Sequence, residues 1–229
     1  MLVLPQQAQA QEPVNYELKL AGMRVSSLNC DDLSSIDGVS GTAKFDPESK
    51  TLTLDNATIS TSVIKFPGLE NSIKGLTIRL IGDNTITSEN YWGLFNNTER
   101  SITFTGSGKL TVNGSTTAPQ TGYRRAIFNW GTIVVDGCTL EANGGVYGIG
   151  SGFWKFVNCN VRTKGGGGSQ SDEYAGSLTW MWDKEPEFVG CKITSPAGVS
   201  WKKFQNNGYD NYVLVGEDGN AVTDWVEIT

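Results

Sequence analysis

A short alternating pattern of inward and outward residues recurs along this chain. Six times a small residue is followed by one polar and one aliphatic residue, just after an Asx or Gly turn. Alternation with a period of two is typical of a β-strand with one buried face. The pattern therefore predicts six short strands in equivalent positions of a repeated unit. They are Ala57–Ile59, Asn84–Ile86, Gly108–Leu110, Cys138–Leu140, Cys159–Val161 and Cys191–Ile193.

The spacing of these strands indicates the fold. The shortest step, from Leu140 to Val161, is 21 residues, and the longest, from Val161 to Ile193, is 32. Periods of roughly 20 to 50 residues indicate a solenoid, a propeller or an array. A constant strand with loops of variable length favours a parallel β-helix, and the shortest step accommodates three short strands and three turns. We predict an all-β fold, a single-stranded right-handed parallel β-helix (solenoid) of about six coils, right-handed because parallel connections have that hand.

Hairpins at both ends are predicted to cap this solenoid, since an open end would expose the core and a strand edge. The predicted organisation is one domain over 11–229, with an N-terminal cap at 11–50, coils at 51–198 and a C-terminal cap at 199–229. The hairpin strands are Tyr16–Leu20 with Met23–Val25, Ala43–Phe45 with Thr51–Leu54, and Tyr212–Val215 with Asp224–Ile228 around the turn Gly216–Gly219. The corner residues Asp55, Asn56, Asp83 and Asn158 are interpreted as turn formers rather than metal ligands.

Charge and hydropathy narrow the range of partners and locations. The formal net charge is −6 and no basic cluster is present, which argues against a nucleic-acid partner. The sequence has no run of about 18 apolar residues, so no membrane span is predicted. Residues 1–10 end in Ala8-Gln9-Ala10, the small-residue form of a signal-peptidase site. We therefore expect a secreted, periplasmic or cell-surface protein, the alternative being an ordinary polar N-terminal tail.

Three of the four cysteines are expected to be free thiols. Cys138, Cys159 and Cys191 fall on the same inward position of successive coils. Side chains stacked in parallel have the wrong Cβ directions for a disulfide, so buried thiols that pack as small apolar groups are predicted. Cys30 lies outside the repeat and is expected to be exposed or differently paired.

Candidate catalytic groups are sparse. The chain has no histidine, which excludes a Ser-His-Asp or Cys-His site. Carboxylates could form a calcium site or a glycosidase pair, although solvated surface charge is the simpler interpretation. These carboxylates are Asp31, Asp32, Asp172, Glu173, Asp183, Glu185 and Glu187. Arginine bases for a β-elimination could be Arg79, Arg100, Arg124 and Arg162.

Aromatic residues give the better indication of function. Seven Trp and seven Tyr exceed what narrow coils can bury. Trp180 and Trp182 alternate around Met181 and would project the same way from a strand. With Trp154 and Tyr174 they form the candidate carbohydrate-binding set, because aromatic faces stack on sugar rings. The alternative is that Trp180 and Trp182 pack as a small core beneath the glycine-rich segment 165–177.

Four stretches resemble a group of secreted bacterial carbohydrate-binding β-helix proteins, similar in architecture to pectate lyases. They are Tyr16–Asn29, Thr51–Ile59, Leu76–Thr87 and Ile102–Gly114, and with the later coils the resemblance spans residues 16–195. The resemblance implies a right-handed parallel β-helix, secretion and polysaccharide binding, sometimes with Ca²⁺. The calcium cluster and catalytic base of the lyases are not placed on named positions of this chain.

Three functions follow as hypotheses. The first is an exported, non-enzymatic protein that binds a polysaccharide or surface glycan and requires no cofactor. The second is a calcium-dependent polysaccharide lyase or glycoside hydrolase acting on acidic glycans. The third is a structural or adhesive surface protein.

Overall fold

The computed structural model describes residues 12–169 and 172–229. The predicted signal-peptide remnant at 1–10 lies outside the described residues. Strands dominate, with two single 3-10 turns at Leu33–Ser35 and Thr121–Tyr123. The strands are β1 (Asn15–Leu20), β2 (Met23–Ser26), β3 (Val39–Asp46), β4 (Thr51–Thr61), β5 (Leu69–Asn71), β6 (Leu76–Ile81), β7 (Asp83–Ser88), β8 (Leu94–Asn96), β9 (Ser101–Gly106), β10 (Lys109–Asn113), β11 (Arg125–Asn129), β12 (Thr132–Asp136), β13 (Thr139–Gly144), β14 (Tyr147–Gly150), β15 (Phe153–Val157), β16 (Asn160–Gly165), β17 (Leu178–Thr179), β18 (Met181–Trp182), β19 (Glu187–Val189), β20 (Ile193–Ser195), β21 (Ser200–Asn206), β22 (Tyr209–Val215) and β23 (Val226–Ile228).

From β5 onward the chain repeats a unit of three strands that stack on the next unit. One stack is β5, β8, β11, β14 and β17; the second is β6, β9, β12, β15 and β19; the third is β7, β10, β13 and β16. Neighbouring strands within each stack are parallel. The predicted all-β class with parallel strands is therefore confirmed. In the described part of the chain no helix combines the length and the apolar character needed to cross a membrane.

The alignment predicted for the six triplets fails at two steps. The last triplet does not stack on the one before it, since Ile193 and Val161 both pair with Ile228 of β23. The other failure is a slip of register. Ile59 pairs with Ile86 and Leu110 pairs with Leu140, as the triplets indicate. However, Ile86 pairs with Val112 and not with Leu110. The slip is two residues, and because side chains alternate with a period of two, every residue keeps its face. The first five triplets therefore identified the buried face but misplaced one register, and the sixth was assigned to the wrong neighbour.

The corners follow the predicted turn chemistry. Asn56 and Asn158 adopt the left-handed region, at φ values of 48° and 43°. Asn tolerates this conformation better than most residues. Their interpretation as turn formers is confirmed.

The main core is a continuous set of buried side chains from Leu18 to Ile228, and two small clusters, around Tyr147 and around Phe204, lie outside it. Phe104 and Phe156 are its largest fully buried members. A row of asparagines lies inside the first stack: Asn71 Nδ2 donates to Asn96 Oδ1, and Asn96 Nδ2 donates to Asn129 Oδ1, both at 2.8 Å. Both bonds are buried, so this asparagine ladder satisfies polar groups within an otherwise apolar interior.

The two ends are closed differently. At the N-terminal end, β1 pairs with β2 and β3 pairs with β4, both antiparallel, as predicted. At the C-terminal end the predicted pairing of Tyr212–Val215 with Asp224–Ile228 is wrong. Instead β22 pairs with β21, while β23 lies between β16 and β20 and is antiparallel to both. Val226 and Ile228 are fully buried there, so burial decides the position of β23.

All four cysteines are free, as predicted for Cys138, Cys159 and Cys191. Burial raises the pKa of the Cys138 thiol to about 11 and that of Cys159 to about 12, which keeps both thiols protonated. Cys191 is only half-buried because it lies just before β20, and β20 pairs with β23 and not with β16. Cys30 was expected to be exposed; it is 7% exposed and packs in the core, so that prediction is wrong.

Candidate functional site

A cavity of about 480 Å³ opens where the last repeat meets the hairpin β21–β22. Strand β18 pairs with β22, with Trp182 opposite Asn211, and this pairing joins the hairpin to the stack. The lining combines four aromatic side chains with amides and carboxylates: Phe153, Trp180, Trp182, Tyr209, Asp183, Asp210, Asn206, Asn207 and Asn211. We call this site the aromatic cavity.

The hairpin that forms one wall has a well-defined turn. Asn207 and Gly208 link β21 to β22 and both have positive φ, 49° and 81°. These angles match the turn that Asn-Gly favours in two-residue hairpin loops. The turn places Tyr209 at the rim of the cavity, where 72% of its surface is exposed. The Asn207-Gly208 pair was the sequence signal for this hairpin, and the sequence analysis missed it.

The segment around β18, which lies beside β22 in the same sheet, has an unusual backbone. Trp180 and Asp183, which flank β18, have φ values of 56° and 58°. A bulky residue such as Trp is rarely found in this region, and conformations of this kind cluster at functional sites. The left-handed turn at Trp180 interrupts the predicted strand alternation. Both Trp180 and Trp182 nevertheless line the same cavity, while Met181 between them is buried.

Trp180 is held by a network centred on Asp172. The Asp172 carboxylate accepts hydrogen bonds from Trp180 Nε1 at 2.7 Å and from the Tyr147 hydroxyl at 2.9 Å. Trp180 also packs edge-on against Phe204 at 5.0 Å between ring centroids. Part of the alternative interpretation is thus correct, since Trp180 belongs to a small packed cluster as well as to the cavity wall.

Two predicted binding residues lie outside the cavity lining. Trp154 is only 3% exposed, and its Nε1 donates to the Ser151 carbonyl, so it cannot stack on a ligand in solution. Its assignment to the binding set is corrected to the core. Tyr174 is half-buried and stacks on Phe204 with centroids 3.8 Å apart. Of the four predicted residues, the structure brings only Trp180 and Trp182 together in the cavity.

The carboxylates of the cavity differ in their partners. Lys203 Nζ lies 2.6 Å from Asp210, and Gln205 donates to the same carboxylate. These hydrogen bonds, with the charge of Lys203, lower the pKa of Asp210. Asp183 is exposed, and its carboxylate has neither a hydrogen bond nor an ion pair within the described residues.

The remaining predicted acidic and basic groups are dispersed. Within residues 12–169 and 172–229, no three Asp, Glu or Cys side chains lie close enough to hold a metal ion. Asp32 caps the first 3-10 turn by accepting from Ser34 N, and Glu187 pairs with Lys184 and Lys155. The four candidate arginine bases lie apart, in β6, before β9, before β11 and in β16: Arg79, Arg100, Arg124 and Arg162.

A second group of aromatic side chains, also missed by the sequence analysis, lies on the outer face of the first stack. Phe95 and Phe128 occupy paired positions on β8 and β11. Trp92 and Trp130 pack around them with centroids 4.6 to 5.6 Å from at least one of the two phenylalanines. We call these four residues the aromatic face. Its rings pack on one another.

No protein-family model, curated protein or solved structure matches this chain.

Proposed function

We propose that this is an exported, non-enzymatic protein that binds a polysaccharide or surface glycan in the aromatic cavity. The observation that carries the proposal is the mixed lining of that cavity, in which aromatic rings lie beside amide and carboxylate side chains. Aromatic rings can cover the apolar face of a sugar, while amides and carboxylates bond its hydroxyl groups. Neither feature alone would favour a glycan over other small ligands.

The scaffold is part of the same proposal. We propose that the three-strand unit is one coil of a right-handed parallel β-helix, the solenoid predicted from the triplets. The parallel stacking of corresponding strands supports this interpretation. A rigid stack suits glycan binding because loops at one end can line a preformed site, which reduces the conformational entropy lost on binding.

Substitution of two cavity rings, the half-buried Trp182 and the exposed Tyr209, tests the cavity. We expect Trp182→Ala and Tyr209→Ala each to weaken binding at least about tenfold on an array of neutral, acidic and amino-sugar glycans, since each removes a stacking surface. These residues are preferred to Trp180, whose loss would also remove one of the hydrogen bonds that the Asp172 carboxylate accepts. Circular dichroism would verify that the variants are folded.

Trp130→Ala is the matched control because Trp130 is exposed but lies on the aromatic face. It should leave glycan binding unchanged. If Trp130→Ala abolishes binding and the cavity variants do not, the site belongs on the aromatic face instead. Release of unsaturated sugars that absorb ultraviolet light, abolished by chelation of Ca²⁺, would replace the proposal with the lyase hypothesis. A folded protein that binds no glycan and releases no sugar would favour the structural or adhesive role.

A further inference from the structure

The charges around the aromatic cavity are unbalanced. Its lining contains two carboxylates, Asp183 and Asp210, and no lysine or arginine. Lys203 neutralises Asp210 through the ion pair described above. Asp183 has no such partner among the described side chains. The cavity therefore presents one uncompensated negative charge to a ligand.

The lysine that follows Asp183 in the chain and the two lysines of β21 have other partners. Lys184 follows Asp183 in the chain but its ammonium pairs with Glu187. Lys202, on β21, lies over the ring of Tyr174 at 5.4 Å from the centroid. With Lys203 on Asp210, none of these three ammonium groups is paired with the Asp183 carboxylate. The Asp183 carboxylate is therefore available to pair with a cationic ligand.

The rings of the cavity would add to that attraction. An ammonium group over the face of Trp or Tyr interacts with the negative potential of the ring, and the effect is stronger in a partly desolvated site. Trp182 and Tyr209 line the same cavity as Asp183. A ligand that is both apolar on one face and positively charged would use the rings and the carboxylate together.

We infer that the aromatic cavity selects an amino sugar with a free, protonated amine, within a glycan rich in such units. This inference rests on the proposed glycan-binding function and specifies its ligand class. The ammonium group is placed beside Asp183 and the sugar ring against Trp182 or Tyr209. Acidic glycans are disfavoured, because a uronate carboxylate would meet Asp183 with a like charge and no basic side chain lines the cavity.

Three oligosaccharides of equal length test the inference: oligomers of glucosamine, of N-acetylglucosamine and of galacturonate. Titration calorimetry of the full chain would be run at low salt and mildly acidic pH, where the amine is protonated. We expect the glucosamine oligomer to bind at least about tenfold more tightly than the acetylated one, a difference within the range of a charge and cation–π contact. Added salt should reduce this preference.

The Asp183→Asn variant keeps the size of the side chain and removes its charge. It should lose most of the preference for glucosamine, while its affinity for the N-acetylglucosamine oligomer stays within about twofold of the parent. Glu48→Gln is the control, since Glu48 is exposed in the turn between β3 and β4, far along the chain from the cavity. It should change neither affinity.

The two proposals fail in different ways. Equal or tighter binding of the acetylated or galacturonate oligomer, or binding of other array glycans without glucosamine, would overturn the inference and leave glycan binding intact. An Asp183→Asn variant that keeps the full preference would also overturn it. Absence of binding to every glycan tested, by a folded protein, would overturn the proposed function itself.

Discussion

At the residue scale, the asparagine ladder shows how buried polar groups can fix the register of stacked strands without destabilising them. Asn71, Asn96 and Asn129 are fully buried and hold corresponding positions on β5, β8 and β11. Asn96 accepts from Asn71 and donates to Asn129, and it also donates to the Arg100 carbonyl. Since buried amides must be bonded, only the observed register satisfies all three.

The central amide is therefore the sensitive one. We expect Asn96→Ala to lower the free energy of unfolding by about 2 to 3 kcal/mol, because it removes three hydrogen bonds, two of them buried, and leaves a small void. Urea denaturation followed by circular dichroism would measure the loss. Asn113→Ala is the matched control, since Asn113 is half-buried and its one side-chain bond, to Thr87, is 3.4 Å long. A cost for Asn96→Ala no larger than that of the control would contradict a structural role for the ladder.

The sequence contains a signal for the asparagine ladder, but the strand prediction was based on a different repeat. Leu69-Glu70-Asn71, Leu94-Phe95-Asn96 and Ile127-Phe128-Asn129 form a second recurring triplet. The prediction used other triplets, which identified the strands and buried faces correctly for the first five but not for Cys191–Ile193, where the strand begins only at Ile193. Their register could not be fixed from the pattern, because a slip of two residues leaves the alternation of faces unchanged.

At the scale of the element, the C-terminal strand β23 is the clearest departure from local expectation. The Asp218-Gly219 turn suggested a hairpin with the strand before it. The chain instead runs on to place β23 between β16 and β20, with Val226 and Ile228 inside. Turn chemistry is a local signal, whereas the place of β23 depends on apolar surface left uncovered at distant strands.

A charged residue at a buried position of β23 should open the sheet. We expect Val226→Asp to destabilise the protein by more than about 3 kcal/mol, since it buries an unpaired carboxylate. The exposed edges of β16 and β20 should then promote self-association. Denaturation midpoints and size-exclusion chromatography with light scattering would report both effects.

The neighbouring position provides the control. Glu227 is half-exposed on the same strand and forms an ion pair with Arg162 at 3.4 Å. Glu227→Gln should cost less than about 1 kcal/mol and leave the protein monodisperse to the same degree as the parent. Similar behaviour of the two variants would mean that β23 does not close the sheet.

At the scale of the whole molecule, one core joins the N-terminal hairpins, the stacked strands and β23. The aromatic cavity lies beyond this core, where the hairpin β21–β22 meets the last repeat. Its two tryptophans were predicted from sequence, but Tyr209, Asp210 and the asparagines come from the hairpin. Their meeting depends on the pairing of β18 with β22, which no local pattern specifies.

The continuity of the core predicts cooperative unfolding. Phe104 is fully buried on β9, in the second stack. Phe104→Ala should lower the free energy of unfolding by about 3 to 5 kcal/mol. Far-ultraviolet circular dichroism and tryptophan fluorescence should shift together in one transition, because both ends share the same core. Thr103→Ala, on the outer face of the same strand, is the control and should change the midpoint little. Separate transitions for the two probes would show that the ends unfold independently.

The amide dipoles of the asparagine ladder all point the same way along the stack. Each amide donates toward the next repeat, from Asn71 to Asn96 to Asn129, and Asn129 Nδ2 ends the series on the Phe153 carbonyl. The side-chain dipoles therefore align head to tail and polarise one another, as in a chain of hydrogen-bonded amides. Their positive ends face the repeat whose Phe153 side chain lines the aromatic cavity.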